Sequence, residues 1–550
     1  MKKIRIFATA LLLAFTLSSC ESFFDVELDD QAKIEDIFRQ KTEVQKYLSH
    51  LYSYIPQEEE VVGMHGWTVG RSDEALFSWY QWVYYTQFRT GNYSSATTNF
   101  NYWPDYYIGI NQCSIFLKYI DLDKEDTPTT VAYMKAEARF LRAYYYFLLF
   151  RQYGPVFIWG DQIADETIDG VTISADYFLQ LAADAAWAVM EQNKYSLYKG
   201  NTLKLDAPYR EYFILEDGDA KETILSMRFN ADILVRHGIQ FTFRNMRHSA
   251  TQRLVNHYLM ADGSKIQDQP GYETMTYNQQ FQNRDPRMAQ TLMAPGYVDL
   301  NGIDEVIEDC KSYDMTGYRF IKFVSDDTHN GATTSTTDWP VFRYPEILLT
   351  YAEAKAELGT LTPEDIALTV DVVRDRVGMP ALDMTAANNN PDPLMASYYP
   401  NVNSGANKGV ILEIRRERTV ELPCEGLRQW DMLRWKEGAQ LVPSSNGLDG
   451  FLGCYFPSLG EYDMNGDGKM DLCLWSGTKP ATTCDAMLEI GEGKDAQLTE
   501  GTSGYIVCFR GRTYKWEEGR DYLWPIPTDQ RVATGGALSQ NPGYEDGLSF

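Results

Sequence analysis

Apolar residues recur at spacings of three and four in several separate stretches of the chain, and long aperiodic stretches divide them. That period puts one apolar stripe along a helix and demands a partner for it, so the core must be built mainly from packed helices. The first such stretch, about 32–55, places Ile34, Ile37, Phe38, Val44, Tyr47, Leu48 and Leu51 on one stripe, and Pro56 ends it. Helices are predicted again at about 105–120 and 131–152. In the second of these, Ala136, Phe140, Tyr144, Phe147 and Arg151 share one face, and Gly154-Pro155 stops it. Another is predicted at about 173–192. Later ones fall at 345–358, stopped by Gly359, then from Thr362 as N-cap with Pro363 at the first helical position, and at about 410–420 and 427–435. Taken in order these make about four antiparallel helix pairs. Ala136-x-x-x-Phe140 and Ala354-x-x-x-Leu358 echo the small/large packing of tetratricopeptide helices.

The stretches between are irregular. Residues 57–103 are crowded with Gly, Asn, Ser, Thr and aromatics, residues 201–345 contain short strand-like runs such as Glu222–Phe229, and the last 110 are Gly-rich and partly stranded. The expected fold is therefore mostly α, with tetratricopeptide-like pairs packed against a loop-rich lobe with minor β. No flexible Gly/Ser linker interrupts the chain, so one compact body is expected. Lys and Arg total 50 against 77 Asp and Glu, a net charge of −27, which repels a phosphate backbone and argues against nucleic acid as a partner. Aromatic residues reach 14 %, more ring surface than a core requires, and part of it is available for binding.

The N-terminus reads as an address. Lys2, Lys3 and Arg5 precede an apolar run from Ile6 to Leu17, too short for a membrane-spanning helix and suited to a signal segment. It ends in Leu17-Ser18-Ser19-Cys20, which resembles a bacterial lipobox. The resemblance implies cleavage after residue 19, diacylation of Cys20 and attachment to a membrane through the acyl chains. Residues 1–19 are thus signal, 20–230 an N-terminal region and 231–550 a C-terminal region. The other seven cysteines show no C-x-x-C spacing, so neither zinc-ribbon nor thioredoxin chemistry is indicated, and sequence assigns no disulfide partners.

A series of motifs narrows the reading. Phe23-Phe24-Asp25 follows Cys20. Lys135-Ala136-Glu137-Ala138-Arg139-Phe140-Leu141-Arg142-Ala143 leads to Tyr153-Gly154-Pro155-Val156. Thr251-Gln252-Arg253-Leu254-Val255-Asn256 precedes Ala261-Asp262-Gly263 and Asn283-Arg284-Asp285-Pro286-Arg287. Arg343-Tyr344-Pro345-Glu346-Ile347-Leu348-Leu349 runs into Tyr351-Ala352-Glu353-Ala354. Ile414-Arg415-Arg416-Glu417-Arg418 precedes Glu425-Gly426-Leu427-Arg428 and Asp431-Met432-Leu433-Arg434-Trp435. Tyr522-Leu523-Trp524-Pro525-Ile526-Pro527 and Asn541-Pro542-Gly543-Tyr544 close the set. In this order, nearly end to end, they resemble the SusD/RagB family of outer-membrane nutrient-uptake lipoproteins. Two departures stand out: the family's usual proline after the lipidated cysteine is absent, and the helical content between Ile163 and Lys199 is shortened. The resemblance implies a surface-exposed, non-catalytic protein that binds glycan, or peptide in some branches, and lids a TonB-dependent, SusC-like transporter.

The family's sugar site draws rings from the first aperiodic stretch and from the middle of the chain. Trp79, Trp82 and Tyr85 are the expected ligand contacts in the first, with Trp339 and Tyr297 from the middle. Arg71, Asp73, Phe88 and Tyr93 stand in or beside the same aromatic stretch. A pyranose shows a flat face of C–H groups that a Trp or Tyr ring covers, and its edge hydroxyls need fixed polar partners. The Arg and Glu residues of the helix motifs, Arg343, Arg415, Arg416, Arg428 and Arg434 beside Glu346, Glu413, Glu417 and Glu425, read as ion pairs. Asp463-x-Asn465-x-Asp467-Gly468-x-x-Asp471 reads as a calcium loop, with side-chain oxygens at positions 1, 3, 5 and 9 and the Lys469 carbonyl at position 7. Position 12 is Leu474 where an acidic ligand is usual, and a polar Asx/Gly turn is the alternative reading of the same residues. G-x-S-x-G, H-E-x-x-H and G-x-x-x-x-G-K-[ST] are all missing. A surface glycoside hydrolase would need two placed carboxylates, which sequence cannot choose among 77 acidic residues. A tetratricopeptide scaffold without a small ligand is the remaining alternative.

Overall fold

The computed structural model describes residues 33–57, 61, 67–77, 88–97, 101–156, 175–200, 202–203, 205–246, 248–302, 315–326, 329, 331–403, 405–442, 451–508 and 514–548. The signal segment and Cys20 lie outside them. The chain divides into two compact units: the described residues up to 55 together with 101–156, and the remainder.

The smaller unit is helical. Helix α1 (Lys41–Leu51) buries Val44, Leu48 and Leu51. The single stripe expected over 32–55 is broken, because Gln40 adopts an extended conformation (φ −111, ψ 112) between a short turn of helix at Ile34–Ile37 and α1. Helix α2 (Trp103–Tyr119) buries Trp103, Tyr106, Ile110, Cys113 and Phe116 at helical spacing. Helix α3 (Pro128–Tyr153) starts where Thr127 accepts the Thr130 N–H at 3.1 Å and Pro128 occupies the first position, and it stops at Gly154 with φ +81. Helices α2 and α3 pack closely at Gly109, where an added Cβ would stand 3.0 Å from the Tyr145 ring.

The buried face of α3 is not the one that carries Ala136 and Phe140. Met134, Ala138, Leu141, Tyr145, Leu148 and Gln152 face inward, while Phe140 and Phe147 are 45 % and 52 % exposed. Tyr144 through Phe150 is apolar or aromatic all round, so its period fits either face.

Among its described residues the larger unit combines helices with four small sheets. Strand β1 (Ala75–Phe77) is followed by α4 (Ala175–Met190), β2 (Thr223–Met227), β3 (His248–Ala250) and β4 (Trp339–Arg343). β1 pairs antiparallel with β3, and β2 with β4. The second pairing spans the expected boundary at 230/231, which falls inside this unit. Helix α5 (Tyr344–Glu357) packs on α4 and on α8 (Lys408–Glu421), so these partners come from distant parts of the sequence. Between them lie α6 (Pro363–Leu368) and α7 (Val370–Asp375). Thr362 and Asp365 form a reciprocal capping box at the start of α6. Every residue of α8 from Gly409 to Glu421 is buried, charged ones included, and α9 (Arg428–Arg434) follows.

The C-terminal part carries β5 (Leu452–Phe456), β6 (Gly460–Tyr462), β7 (Leu472–Trp475), β8 (Ala486–Glu489) and β9 (Gly504–Val507). β5 pairs with β9. β7 runs antiparallel to β6 and parallel to β8. Among the described residues no helix is long and apolar enough to cross a membrane.

Candidate functional site

Trp79, Trp82 and Tyr85 lie outside the described residues, but the chain on either side of them is described. Residues 67–77 lead into the aromatic segment and 88–97 lead out. Arg89 ties the two together: its Nη2 donates to the carbonyls of Gly70 at 2.7 Å, Ser72 at 3.0 Å and Ala75 at 3.3 Å. The guanidinium is buried and lies 4.5 Å from the Phe451 ring centroid. A cation bonded to three backbone carbonyls fixes the spacing of the segments it joins.

Both arms are anchored further. Asp73 accepts two bonds from Arg428, Nε at 2.6 Å and Nη2 at 2.8 Å, and one from Arg253 at 3.4 Å. Burial pushes the Asp73 carboxyl up, but Arg428 and Arg253 outweigh it and hold the group well below the usual carboxylate range. Next to it, burial raises Glu74 to about 8, so this carboxyl is protonated at neutral pH. The Arg71 guanidinium lies between the Trp524 ring at 4.3 Å and the Phe88 ring at 4.7 Å. The Tyr93 hydroxyl donates to Asp521 at 2.9 Å and accepts from Tyr544 at 2.8 Å. Arg71, Asp73, Phe88 and Tyr93 are thus spent on packing, not left for a ligand. Arg89 went unnoticed in the sequence, where one arginine after an aromatic run carries no signal of its partners.

The two middle-region rings are interior. Trp339 is 3 % exposed on β4, with its ring centroid 5.1 Å from that of Phe323. Tyr297 is 8 % exposed, and its hydroxyl accepts from Arg210 Nη2 at 2.8 Å. Neither offers a free face to a sugar in this conformation. Residue type alone does not say toward which side of a strand or loop a ring turns.

The Asp463–Asp471 loop joins β6 to β7, so strands flank it. Asp463 accepts the N–H groups of Gly466 at 2.6 Å and Gly468 at 2.8 Å. Asn465 Oδ1 accepts the Asp467 N–H at 2.9 Å, and Asp467 Oδ1 accepts the Lys469 N–H at 2.7 Å. Asp467 Oδ2 pairs with Lys469 Nζ at 3.2 Å. Asp471 Oδ2 accepts the Met464 N–H at 2.7 Å. Gly466 and Gly468 have φ of +82 and +88, the left-handed turns the motif requires. Among the described residues no three His, Cys, Asp or Glu side chains converge as metal ligands. The loop is a self-capped turn in this conformation, and Asp463, Asn465, Asp467 and Asp471 keep the spacing of the calcium-loop pattern.

Of the helix-motif charges, the arginines and Glu413, Glu417 and Glu425 form ion pairs, mostly inside the molecule. Arg343 meets Glu425 at 2.6 Å, Glu421 at 2.7 Å and Glu222 at 3.0 Å. Arg376 meets Glu421 at 2.5 Å and Glu222 at 3.3 Å. Arg287 bridges Asp285 at 2.7 Å and Glu417 at 2.5 Å, Arg374 holds Glu417 at 2.9 Å, and Lys322 holds Glu425 at 2.6 Å. Burial opposes the charge on Glu421, but Arg376 and Arg343 hold it down to about 2. Burial raises Glu346 to about 7. Arg416 pairs with Glu413 and Asp392, Arg415 with Glu357 and Glu437, and Arg434 with Glu353 and Asp431. These groups fix how α5, α7 and α8 dock, and of the arginines only Arg434 reaches solvent, its side chain 46 % exposed.

Comparison with known proteins fits this architecture. Residues 244–544 match the SusD family model, and residues 22–197 match a family described as starch-binding associating with outer membrane. No curated protein matches. A SusD-like protein of Bacteroides fragilis shares the fold at a TM-score of 0.62 and 20 % identity, over 94 % of this chain and 100 % of that one. A SusD-like carbohydrate binding protein of the same species gives 0.63 and 18 %, over 90 % and 98 %. Surface glycan-binding protein A of Bacteroides fluxus gives 0.52 and 14 %, over 92 % and 100 %. With more than half its length matched by the family model, this chain belongs to the SusD/RagB family.

Proposed function

We propose that this protein is a non-catalytic surface lipoprotein that captures oligosaccharide and delivers it to a TonB-dependent, SusC-like transporter. Family membership carries the reading, and the Arg89-stapled frame supports it by holding the approaches to an aromatic segment in fixed register. Trp79, Trp82 and Tyr85 supply the ring faces. Each ring stacked on a sugar contributes about 0.5–1.5 kcal/mol, by analogy with aromatic pairs. Acyl chains on Cys20 hold the protein at the membrane, each buried CH₂ contributing about 0.8 kcal/mol. Transport energy comes from the partner barrel.

Isothermal titration against an oligosaccharide panel and a peptide panel tests the cargo. Oligosaccharide binding is expected, and Trp82→Ala weakens it about 2- to 10-fold, the loss of one stack. A peptide-only response overturns the glycan reading in favour of peptide uptake. Released reducing ends on prolonged incubation overturn the non-catalytic reading.

A further inference from the structure

Cys473 lies buried within β7 and pairs across the sheet with Glu461 of β6. Paired residues of an antiparallel ladder send their side chains to the same face. The Thr482 hydroxyl donates to the Glu461 carboxylate, so the connection from β7 to β8 folds back over that face. Thr482 Oγ1 also accepts the Cys484 N–H at 3.0 Å, a tight turn that keeps Cys484 beside Thr482. Burial raises the pKa of the Cys473 thiol. The Cys484 thiol and the Glu461 carboxylate add to the rise, and the Thr482 hydroxyl opposes it. The Thr482 hydroxyl is thus a shared neighbour of both cysteines. Both thiols are free in this structure, and Cys484 is the more accessible.

We propose that Cys473 and Cys484 form an intrachain disulfide in the mature protein. Outside the cytoplasm, where the family works, protein disulfides persist. The oxidant is a protein disulfide donor. The Cys484 thiolate attacks a donor sulfur, forming a mixed disulfide and releasing one donor thiolate. The Cys473 thiolate then attacks Cys484 Sγ, forming the new S–S bond and releasing the second. The two electrons leave with the donor as a dithiol, and the two cysteine protons balance its two thiols. The bond ties the β7–β8 connection down over the three-stranded sheet.

The test uses the full mature protein secreted into an oxidising compartment and alkylated with N-ethylmaleimide in denaturant without reductant. Chymotrypsin is the protease of choice, because Trp475 lies between the two cysteines and Lys479 is blocked to trypsin by Pro480. The expected product is a peptide pair containing Cys473 and Cys484, with a mass two hydrogens below the sum of its parts, that separates on reduction. N-ethylmaleimide on both residues overturns the proposal, as does a cross-link from either to another cysteine. Reduction is also expected to lower the melting temperature of the wild type more than that of Cys484→Ser. Equal shifts in the two proteins overturn it.

Discussion

Replacing Arg343 with methionine removes a cation that bridges three buried carboxylates while keeping much of its volume. Three carboxylates lose a partner. Glu425 keeps Lys322 at 2.6 Å, and Glu421 and Glu222 keep Arg376 at 2.5 and 3.3 Å. No carboxylate is left bare, yet the cluster holds one uncompensated negative charge with no access to water. Breaking a buried pair by removing one partner costs about 3–5 kcal/mol. The expected loss lies in that range, read as a fall in unfolding free energy from urea titration followed by tryptophan fluorescence. pH gives a second readout. Burial raises the Glu222 carboxyl, and Arg376 and Arg343 oppose the rise. Without Arg343 it rises further. A folded carboxyl with a raised pKa binds its proton where the unfolded chain has released it. The resulting cost is absent below the unfolded carboxylate range, about 4.3, and grows as pH climbs toward the folded value. The variant's deficit is therefore smaller at pH 5 than at pH 8. A loss below about 1 kcal/mol, the scale of an exposed pair, or an equal loss at both pH values would refute the reasoning.

Arg89→Met leaves three buried carbonyls without their charged donor and is expected to lose about 1.5–3 kcal/mol of stability. Oligosaccharide affinity falls with it, and Arg89→Lys restores part of both, as denaturant titration and calorimetry at a temperature where all variants are folded will show. In the loop between β6 and β7, calcium is expected to raise the melting temperature of the wild type, because a carboxylate that accepts a backbone N–H keeps lone pairs for a cation. Asp463→Ala removes that rise, and a wild-type melting temperature that is equal with calcium and with a chelator would refute the calcium reading.

Helix ends were legible in the sequence because their chemistry is local. Thr127 with Pro128, Thr362 with Pro363, and the glycines at 154 and 359 each act within a few residues of themselves. The inward face of α3 was not, since Tyr144 to Phe150 leaves no polar side to mark the outside. Ion pairing could be anticipated from the neighbouring Arg and Glu residues. Its burial could not, because partners such as Asp73 and Arg428 stand far apart in the chain and meet only in the finished fold. At the candidate site, the aromatic segment stood out by composition, whereas Arg89, which frames it, and the interior positions of Trp339 and Tyr297 depended on tertiary packing.

A central helix rich in arginine and glutamate has a consequence for the chain before it folds. Most proteins hide their greasiest segment at the middle, and that segment is the first to stick when synthesis or export leaves it bare. The innermost helix here, α8, carries charges along its length and stays hydrated while unfolded. In the folded protein its charges are matched by partners that helices and strands bring from far along the sequence, so the buried centre of this unit is one that water can hold while the chain is still open.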